Sequence, residues 1–239
     1  MIPPTALGSR DPADKNPQSK RNQPLSASRP PLAKKRRGGR LTKDRREEIV
    51  RQASQLFLDK GYERVTVDDI IALVGGSKAT LYSQFGGKDG LFEIVIKQLC
   101  TNVDVAIEYD ATRDIDEQLM QIGHAFLKGV LNPRIVELHR LMVSIGKRFP
   151  SITLLFYKTG PQSAIDIVAA WIEKQQTAGK LRSGNPREMA VLFHDMLIGN
   201  HQGAHLFSLP KTHIVSKSVD DTVRSAVSIF LYGAAVRPS

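Results

Sequence analysis

Hydrophobic positions recur with a helical period along most of the chain from residue 44 onward. In the first such segment Ile49, Ala53, Leu56 and Phe57 follow the spacing i, i+4, i+7, i+8, which places them on one face of an amphipathic helix. Gly61 is expected to end this helix, because glycine readily takes the left-handed conformation that follows a helix C-terminus.

Four segments in the second half of the chain have the same helical period. They are PRIVELHRLMVSIGKRF, SAIDIVAAWIEKQQ, PREMAVLFHDMLIGNHQGAHLF and DTVRSAVSIFLYGAA. Asn132-Pro133 and Asn185-Pro186 each supply a capping asparagine and a proline at the first helical position. Strand-like alternation between hairpin turns does not stand out. The pattern therefore predicts an all-α fold, with four or five helices after the first four.

In the stretch GGSKATLYSQFGGKDGLF, residues 75 to 92, a short polar segment lies between two glycine pairs. Before it, Thr66 and Asp69 form the capping pattern that opens a second helix. Residues 77 to 85 then form a predicted third helix, capped by Ser77 or Gly76, in which only Leu81 and Phe85 face inward. A polar helix after a tight glycine turn is typical of the DNA-reading helix of a helix-turn-helix.

The second glycine pair is expected to stop this helix, and a long helix restarts at Lys88. Its predicted apolar face consists of Leu91, Phe92, Val95, Ile96 and Leu99.

The outward side chains of the third helix have chemistry that suits DNA. Lys78 and Lys88 can neutralise phosphates, and Tyr82 can reach a phosphate through its hydroxyl. Thr80 and Gln84 can read base edges, and Ala79 leaves room for a thymine methyl. The full set of predicted DNA-binding residues is Thr66, Ser77, Lys78, Ala79, Thr80, Tyr82, Gln84 and Lys88.

Positive charge is concentrated at the N-terminus. Residues 1 to 43 hold eleven Lys and Arg against two Asp, a charge of +9 in a chain whose formal net charge is +10. Residues 1 to 42 are rich in Pro, Ser, Lys and Arg, so we expect a disordered basic tail. Its sharpest cluster, AKKRRGGR at residues 33 to 40, is either a solubilising leader or misassigned start, or an arm that embraces DNA.

Several classes of protein are disfavoured by the sequence. A single cysteine, Cys100, allows no intrachain disulfide, which fits a reducing cytoplasm. The sequence contains no run of about 18 apolar residues, so we expect no membrane span, and the N-terminus has no apolar signal-peptide core. Neither a catalytic constellation nor a cofactor-binding motif is evident, so we expect no enzymatic activity, no catalytic residue and no cofactor.

The segment VTVDDIIALVGGSKATLYSQFGGKDGLF resembles the N-terminal DNA-binding domain of TetR-type transcriptional regulators. Gly76 stands where that family usually has valine. The segments NPRIVELHRLMVSIGKRFPSITLLFYKTGP and GKLRSGNP are similar to the ligand-binding domain of an AefR-like subgroup. The resemblance implies a helix-turn-helix domain at residues 43 to 90 and a larger helical ligand-binding and dimerisation domain at residues 91 to 239.

The resemblance further implies a homodimeric repressor that binds double-stranded operator DNA. A small-molecule inducer would enter the larger domain and change the spacing of the two DNA-reading helices. The last two helices would pair across a two-fold axis, and we expect this pairing to use Gly199, Gly203 and the stripe of Val223, Val227 and Phe230.

Candidates for an inducer pocket are Met142, Phe149, Phe156, Tyr157, Trp171 and Phe193, although at helical spacing such residues are more often core. His194, His201 and His205 share one helical face. A His-x-x-x-His pair can hold zinc, but the nearby glycines favour a dimer interface, so no metal is expected.

An alternative function is that of an architectural, nucleoid-type DNA-binding protein without an inducer, which grips DNA through its tail. The ratio of specific to non-specific affinity at varied salt separates the two, because a repressor keeps a large ratio.

The basic tail supplies the first testable prediction. If it contacts phosphates, deletion of residues 1 to 40 removes counterion-releasing contacts, and a loss of four contacts flattens the slope of log K against log salt by roughly 3.6. Specific and non-specific binding should weaken together, because a disordered Lys/Arg chain reads no bases unless an arginine enters a minor groove. Salt titrations of both proteins on operator and scrambled DNA measure this. An unchanged slope would exclude a DNA-binding role for the tail.

Overall fold

The computed structural model describes residues 41–101, 112–210 and 218–234. The secondary-structure elements in these ranges are all helices, which confirms the predicted all-α fold. The helices are α1 (Lys43–Lys60), α2 (Val67–Val74), α3 (Lys78–Phe85), α4 (Gly87–Thr101), α5 (Ile115–Val130), α6 (Pro133–Ile145), α7 (Pro150–Tyr157), α8 (Ser163–Thr177), α9 (Pro186–Leu206) and α10 (Val219–Ala234). A π-helical segment, Lys158–Gln162, joins α7 to α8. The predicted basic tail lies outside the described residues, except for its last two positions.

The helix starts follow their predicted caps. In α2, the Thr66 hydroxyl accepts a hydrogen bond from the Asp69 amide at 3.1 Å, and the Asp69 carboxylate accepts one from the Thr66 amide at 2.9 Å. The hydrogen bonds from Thr66 lower the pKa of Asp69 well below its usual range. Ser77, rather than Gly76, caps α3. Asn132 and Asn185 cap α6 and α9 as expected. In the described part of the chain six α-helices follow α4, where four or five helices were predicted.

Two clusters of buried side chains organise the described residues. The first joins α1, α2, α3 and α4 to α6 and α7, and at its centre the rings of Phe57 and Phe92 lie 4.6 Å apart. The second joins α5, α8, α9 and α10. The predicted domain boundary between residues 90 and 91 lies inside α4, and the first cluster extends across it. That boundary stays a prediction.

The apolar stripe of α10 packs inside the chain, which contradicts its predicted place in a dimer interface. Val223, Val227 and Phe230 are all buried in the second cluster. The cause is a close approach between α10 and α5, because a Cβ built on Gly123 would lie 2.7 Å from Val223 Cγ1. The stripe therefore covers α5, and other residues of α10 face solvent.

Helix α4 approaches the end of α3 so closely that residue 90 has no room for a side chain. A Cβ added to Gly90 would lie 2.0 Å from the backbone carbonyl oxygen of Phe85. Because that oxygen belongs to the backbone, the clash is relieved only by moving one helix away from the other. Gly90 therefore sets the distance between α3 and α4.

Substitution Gly90→Ala should destabilise the protein by about 3 kcal/mol, the upper end of the range for overpacking. It should also weaken DNA binding, because α3 must shift. Chemical denaturation gives the free energy of unfolding. Gly184→Ala is the matched control, since an added Cβ there comes no closer than 3.4 Å to a neighbour, the flexible side chain of Met189. Equal stabilities for the two variants would show that α3 is not held by this contact.

Candidate DNA interface and ligand cavity

The exposed face of α3 contains most of the predicted DNA-binding residues. Ser77, Lys78, Ala79 and Tyr82 are exposed, whereas Thr80 and Gln84 are half-buried. Leu81 and Phe85 point into the first cluster, as predicted. Thr80 Oγ1 lies 3.0 Å from the capping hydroxyl of Ser77. The two candidate base readers therefore lie at the edge of the exposed face, and their contact with bases stays a prediction.

The orientation of Tyr82 depends on the second glycine pair. Its side chain lies over Gly87, where an added Cβ would come within 2.7 Å of Tyr82 Cε1. Gly87 also has φ +81°, a conformation that other residues rarely adopt. Gly86 ends α3 in the left-handed conformation. The pair thus stops α3, starts α4 and leaves space for the tyrosine ring, which is 58% exposed.

Two arginines of α1 hold the helix-turn-helix in place, and the sequence analysis missed both. Arg45 donates a hydrogen bond to the carbonyl of Val74 at the end of α2. Arg46 donates one at 2.8 Å to the carbonyl of Gln84 at the end of α3, and its guanidinium lies 4.7 Å from the ring centroid of Phe85. The guanidinium N–H groups pair with carbonyls that lack a helical partner, and positive charge is favourable near a helix C-terminus.

Lys78 is paired with an acidic residue at the same surface. Its Nζ lies 2.8 Å from Asp68 Oδ1, and the hydrogen bond from Lys78 to Asp68 raises the pKa of the lysine. Both side chains are well exposed, so the pair contributes little stability. A phosphate that binds Lys78 must compete with Asp68.

Two further predicted DNA-binding residues, Lys88 and Thr66, have structural partners as well. Lys88 lies with its Nζ 4.3 Å from the centroid of the Tyr62 ring, and partial burial lowers the pKa of this lysine. The Tyr62 hydroxyl donates to Asp89 at 2.6 Å. Thr66 donates its own hydroxyl proton to Asp69 at 2.6 Å. Contact of either residue with DNA stays a prediction.

A cavity of about 450 Å³ lies among α4, α5, α6, α7, α8, α9 and the π-helical segment. Its volume is within the usual range for small-molecule sites. The lining residues are Cys100, Thr101, Phe126, Val130, Ile135, His139, Phe156, Tyr157, Thr159, Gly160, Pro161, Ser163, Ala164, Ile167, His194, Ile198 and Gln202. π-Helical turns inside helices occur frequently at functional sites.

Of the six residues predicted to line a ligand pocket, Phe156 and Tyr157 line this cavity. The other four do not. Met142 and Phe149 belong to the first cluster, and Phe193 lies in the second. Trp171 is buried there too, with its indole N–H donating to Gln118 at 3.0 Å. Helical spacing identified these residues as inward-facing, but it could not say which cluster each one joins.

The histidines of α9 separate into different environments. His194 lines the cavity, with its ring 5.0 Å from that of Phe126. His201 is buried and lies 2.8 Å from Thr222 Oγ1 on α10. The expected place of these two residues in a dimer interface is therefore wrong. Among the described residues, no three metal-ligating side chains come together.

One cavity residue, His139, had no signal in the sequence. It lies on α6 in the middle of a helical pattern, and its ring makes an edge contact at 4.8 Å with Phe156. Gln202 on α9 lies beside it. Because the contact between His139 and Gln202 joins residues 63 positions apart, no local pattern predicts it.

A helix-turn-helix with an exposed polar helix, on a larger helical body, is the architecture of a class of DNA-binding transcriptional regulators. Two family models match the chain. One, for bacterial regulatory proteins of the tetR family, matches residues 49–95, and the other, for the C-terminal domain of AefR-like transcriptional repressors, matches residues 117–234. The chain belongs to the TetR family of transcriptional regulators. The family and the relatives below are transcription regulators rather than enzymes.

Individual relatives agree with this assignment. The chain is 24% identical over 180 residues to the uncharacterized HTH-type transcriptional regulator YvkB of Bacillus subtilis, covering 72% of this chain and 92% of YvkB. It is 36% identical over 74 residues to the transcriptional activator FasR of Mycolicibacterium smegmatis, covering 30% and 34%. Over 52 residues it is 38% identical to IcaR, a negative regulator of a biofilm operon in Staphylococcus aureus, covering 22% and 28%.

Solved structures show the same fold. The flavonoid-responsive regulator FrrA has a TM-score of 0.73 and 25% identity, over 82% of this chain and 100% of FrrA. A TetR transcriptional regulator from Agrobacterium tumefaciens has a TM-score of 0.64 and 21% identity, over 81% and 96%. Separately, no helix in the described part of the chain is long and apolar enough to cross a bilayer.

The exposed face of α3 supports a prediction that separates phosphate contacts from base contacts. Tyr82→Phe should weaken binding to all DNA sequences by a similar factor, since a phosphate contact has no sequence information. Thr80→Ala and Gln84→Ala should change which bases are preferred, at about 1–3 kcal/mol for a good base contact. Binding of each variant to a randomised operator pool measures both. Wild-type affinity and preference in all three variants would mean that α3 does not read DNA.

The ion pair of Lys78 supports a prediction of opposite sign. Asp68→Asn frees Lys78 and removes a negative charge beside the phosphates, so binding to any duplex should tighten by about 1 kcal/mol, or roughly fivefold. Fluorescence anisotropy on operator and scrambled DNA measures the change. The matched control is Glu173→Gln, which makes the same charge change at an exposed position on α8. If the two substitutions tightened binding equally, the change in net charge would explain the effect, and the release of Lys78 would contribute nothing.

Proposed function

We propose that this protein is a ligand-responsive repressor that binds a palindromic operator as a homodimer and leaves it when a small molecule occupies the cavity. The protein would act where operator DNA is accessible, in the cytoplasm. The family model matched by residues 117–234 describes a repressor domain and supports this direction of control. The similarities to an activator and to a negative regulator each cover 74 residues or fewer, so neither decides the direction.

The observation that carries the proposal is that one helix, α4, contacts α3 near its start and lines the cavity at its end. Near its start, Gly90 of α4 lies against the end of the DNA-reading helix. At its end, Cys100 and Thr101 form part of the cavity wall. These two points are about 16 Å apart along a rigid helix. A ligand that displaces the end of α4 therefore moves the helix against which α3 rests.

Helix α6 provides a second connection of the same kind. Ile135 and His139 line the cavity, and Leu138 is fully buried in the cluster that contains α1 to α4. Arg134, at the start of α6, donates a hydrogen bond at 2.7 Å to the Ser54 hydroxyl on α1. Packed helices of this kind transmit a displacement because the core between them does not deform continuously.

The proposed dimer surface lies on the solvent face of α9 and α10. Leu192, Ile229 and Tyr232 are 63%, 64% and 78% exposed, and as a group they would give this face an apolar patch. Added Cβ atoms at Gly199, Gly203 and Gly233 would meet nothing in the described chain. A second copy of the chain would cover this apolar, small-residue surface.

The proposal is tested by footprinting the purified full-length protein on genomic DNA. We expect recovered sites with two-fold symmetry, and loss of binding when a cavity ligand is added. FrrA is described as flavonoid-responsive, so flavonoids are a suitable first class of compound to add. Asymmetric sites spread at random, with binding lost at moderate salt, would favour the architectural alternative.

Gly203→Leu tests the dimer surface. Because nothing lies within 4 Å of a Cβ at this position, the leucine should leave the fold of the chain intact and obstruct only a partner. Sedimentation should show a monomer, with unchanged circular dichroism and operator binding weakened at least tenfold. Gly179→Asn, at a left-handed turn after α8, is the control and should remain dimeric. A dimeric Gly203→Leu protein that binds operator normally would exclude this face.

A further inference from the structure

The described part of the cavity wall offers no charged side chain to a ligand. Among the described residues that line it, none is Lys, Arg, Asp or Glu. A charged ligand would lose its hydration without gaining an ionic partner, which is costly. The aromatic walls, which include Phe126 and Phe156, favour an apolar body.

Hydrogen bonds fix the tautomer of His139. Its Nδ1 lies 3.0 Å from the backbone carbonyl oxygen of Ile135, and a carbonyl only accepts, so Nδ1 carries the proton. Burial lowers the pKa of His139, which keeps the ring neutral. Its Nε2 is then an acceptor, and the Gln202 amide nitrogen, 3.3 Å away, donates to it. This arrangement also fixes which end of the Gln202 amide is nitrogen.

Two further atoms at this end of the cavity are acceptors. Gln202 directs one N–H to His139, and its amide oxygen Oε1 is available to accept a hydrogen bond from a ligand. His194 donates from Nδ1 to the Asp195 carboxylate at 2.9 Å, which leaves Nε2 with a lone pair in the neutral ring. Within the described ranges neither atom has a protein donor. Thr159 also gives its proton away, to the Leu155 carbonyl at 2.9 Å.

We propose that the cavity binds an uncharged, ring-containing molecule that donates hydrogen bonds through hydroxyl groups, and that Gln202 Oε1 and His194 Nε2 accept them. This assignment rests on the proposed function, in which the cavity holds the inducer. A ligand that only accepts would leave these acceptors unpaired on binding, and an unpaired buried polar group is penalised. A carboxylate would add repulsion from them. An ammonium could donate, but no carboxylate lines the described wall to compensate for its lost hydration.

The experiment uses a panel of two-ring aromatic compounds, each prepared in three forms: a phenol, its methyl ether, and the carboxylate in place of the hydroxyl. Isothermal titration calorimetry on the full-length protein measures Kd for each form. We expect the phenols to bind about tenfold more tightly than their ethers, the upper range for one hydrogen bond, and the carboxylates not to bind.

Two cavity variants locate the effect. His194→Phe, and Gln202→Met combined with His139→Phe, each remove an acceptor without freeing another, so each should reduce the advantage of phenol over ether to about twofold or less. Gln55→Met, at an exposed position on α1, is the control and should retain the full advantage. The comparison of phenol and ether on the unmodified protein needs no variant, so it stands even if a variant fails to fold.

Binding of ethers as tight as that of phenols, tighter binding of carboxylates, or binding of no compound would each overturn the assignment. Release of operator DNA is measured separately by anisotropy. Phenols that bind with the expected selectivity but leave the DNA complex intact would contradict the proposed function and support the cavity assignment. If only the ethers or the carboxylates released the operator, the proposed function would be supported and the cavity assignment contradicted.

Discussion

The place of α3 depends on a backbone contact, between the carbonyl of Phe85 and the Cα of Gly90. Because this contact is backbone against backbone, α3 and α4 behave as a single piece. Arg46 on α1 donates a hydrogen bond to the Gln84 carbonyl at the end of α3 and so links these two helices. The exposed face of α3 is therefore set by its neighbours rather than by its own eight residues, which have little helix stability alone.

The same constraint explains how a distant cavity relates to the DNA face. Helices α4 and α6 each have residues in the first cluster and residues in the cavity wall. A shift in either helix is resisted by packed side chains on both sides, so it is passed on rather than absorbed. The cavity and the DNA-binding helices are thus supported by common elements, although separate family models match the two ends of the chain.

Local features of the fold could be predicted from sequence, and long-range ones could not. The capping box of Thr66 and Asp69 and the inward faces of Leu81 and Phe85 follow from spacing within one turn or two. The bond between Arg46 and Gln84 joins residues 38 positions apart, and no local pattern indicates it. The stripe of α10 was correctly identified as apolar, but its partner was wrong, because periodicity shows that a face is buried and not what covers it.

The candidate sites divide in the same way. The exposed residues of α3 were identified by their polarity between two glycine pairs, a local signal. The cavity residues His139 and Gln202 come from different helices and meet only in the folded chain. Aromatic residues such as Trp171 did not locate the cavity, since large rings at helical spacing more often fill a core than line a pocket.

The π-helical segment Lys158–Gln162 has a consequence for how this protein could diversify. It continues directly into α7 and α8, and a π-helical turn differs from an α-helical one by a single residue. Deleting one residue there would convert the π turn into an α turn, so α8 would keep nearly the same face toward the cavity. Thr159, Gly160 and Pro161 belong to the π segment and line the cavity, so the deletion would rearrange this part of the wall, while Ala164 and Ile167 on α8 would keep their places. A one-codon deletion would therefore reshape one side of the cavity and leave the helices around it, including α1 to α4, as they are.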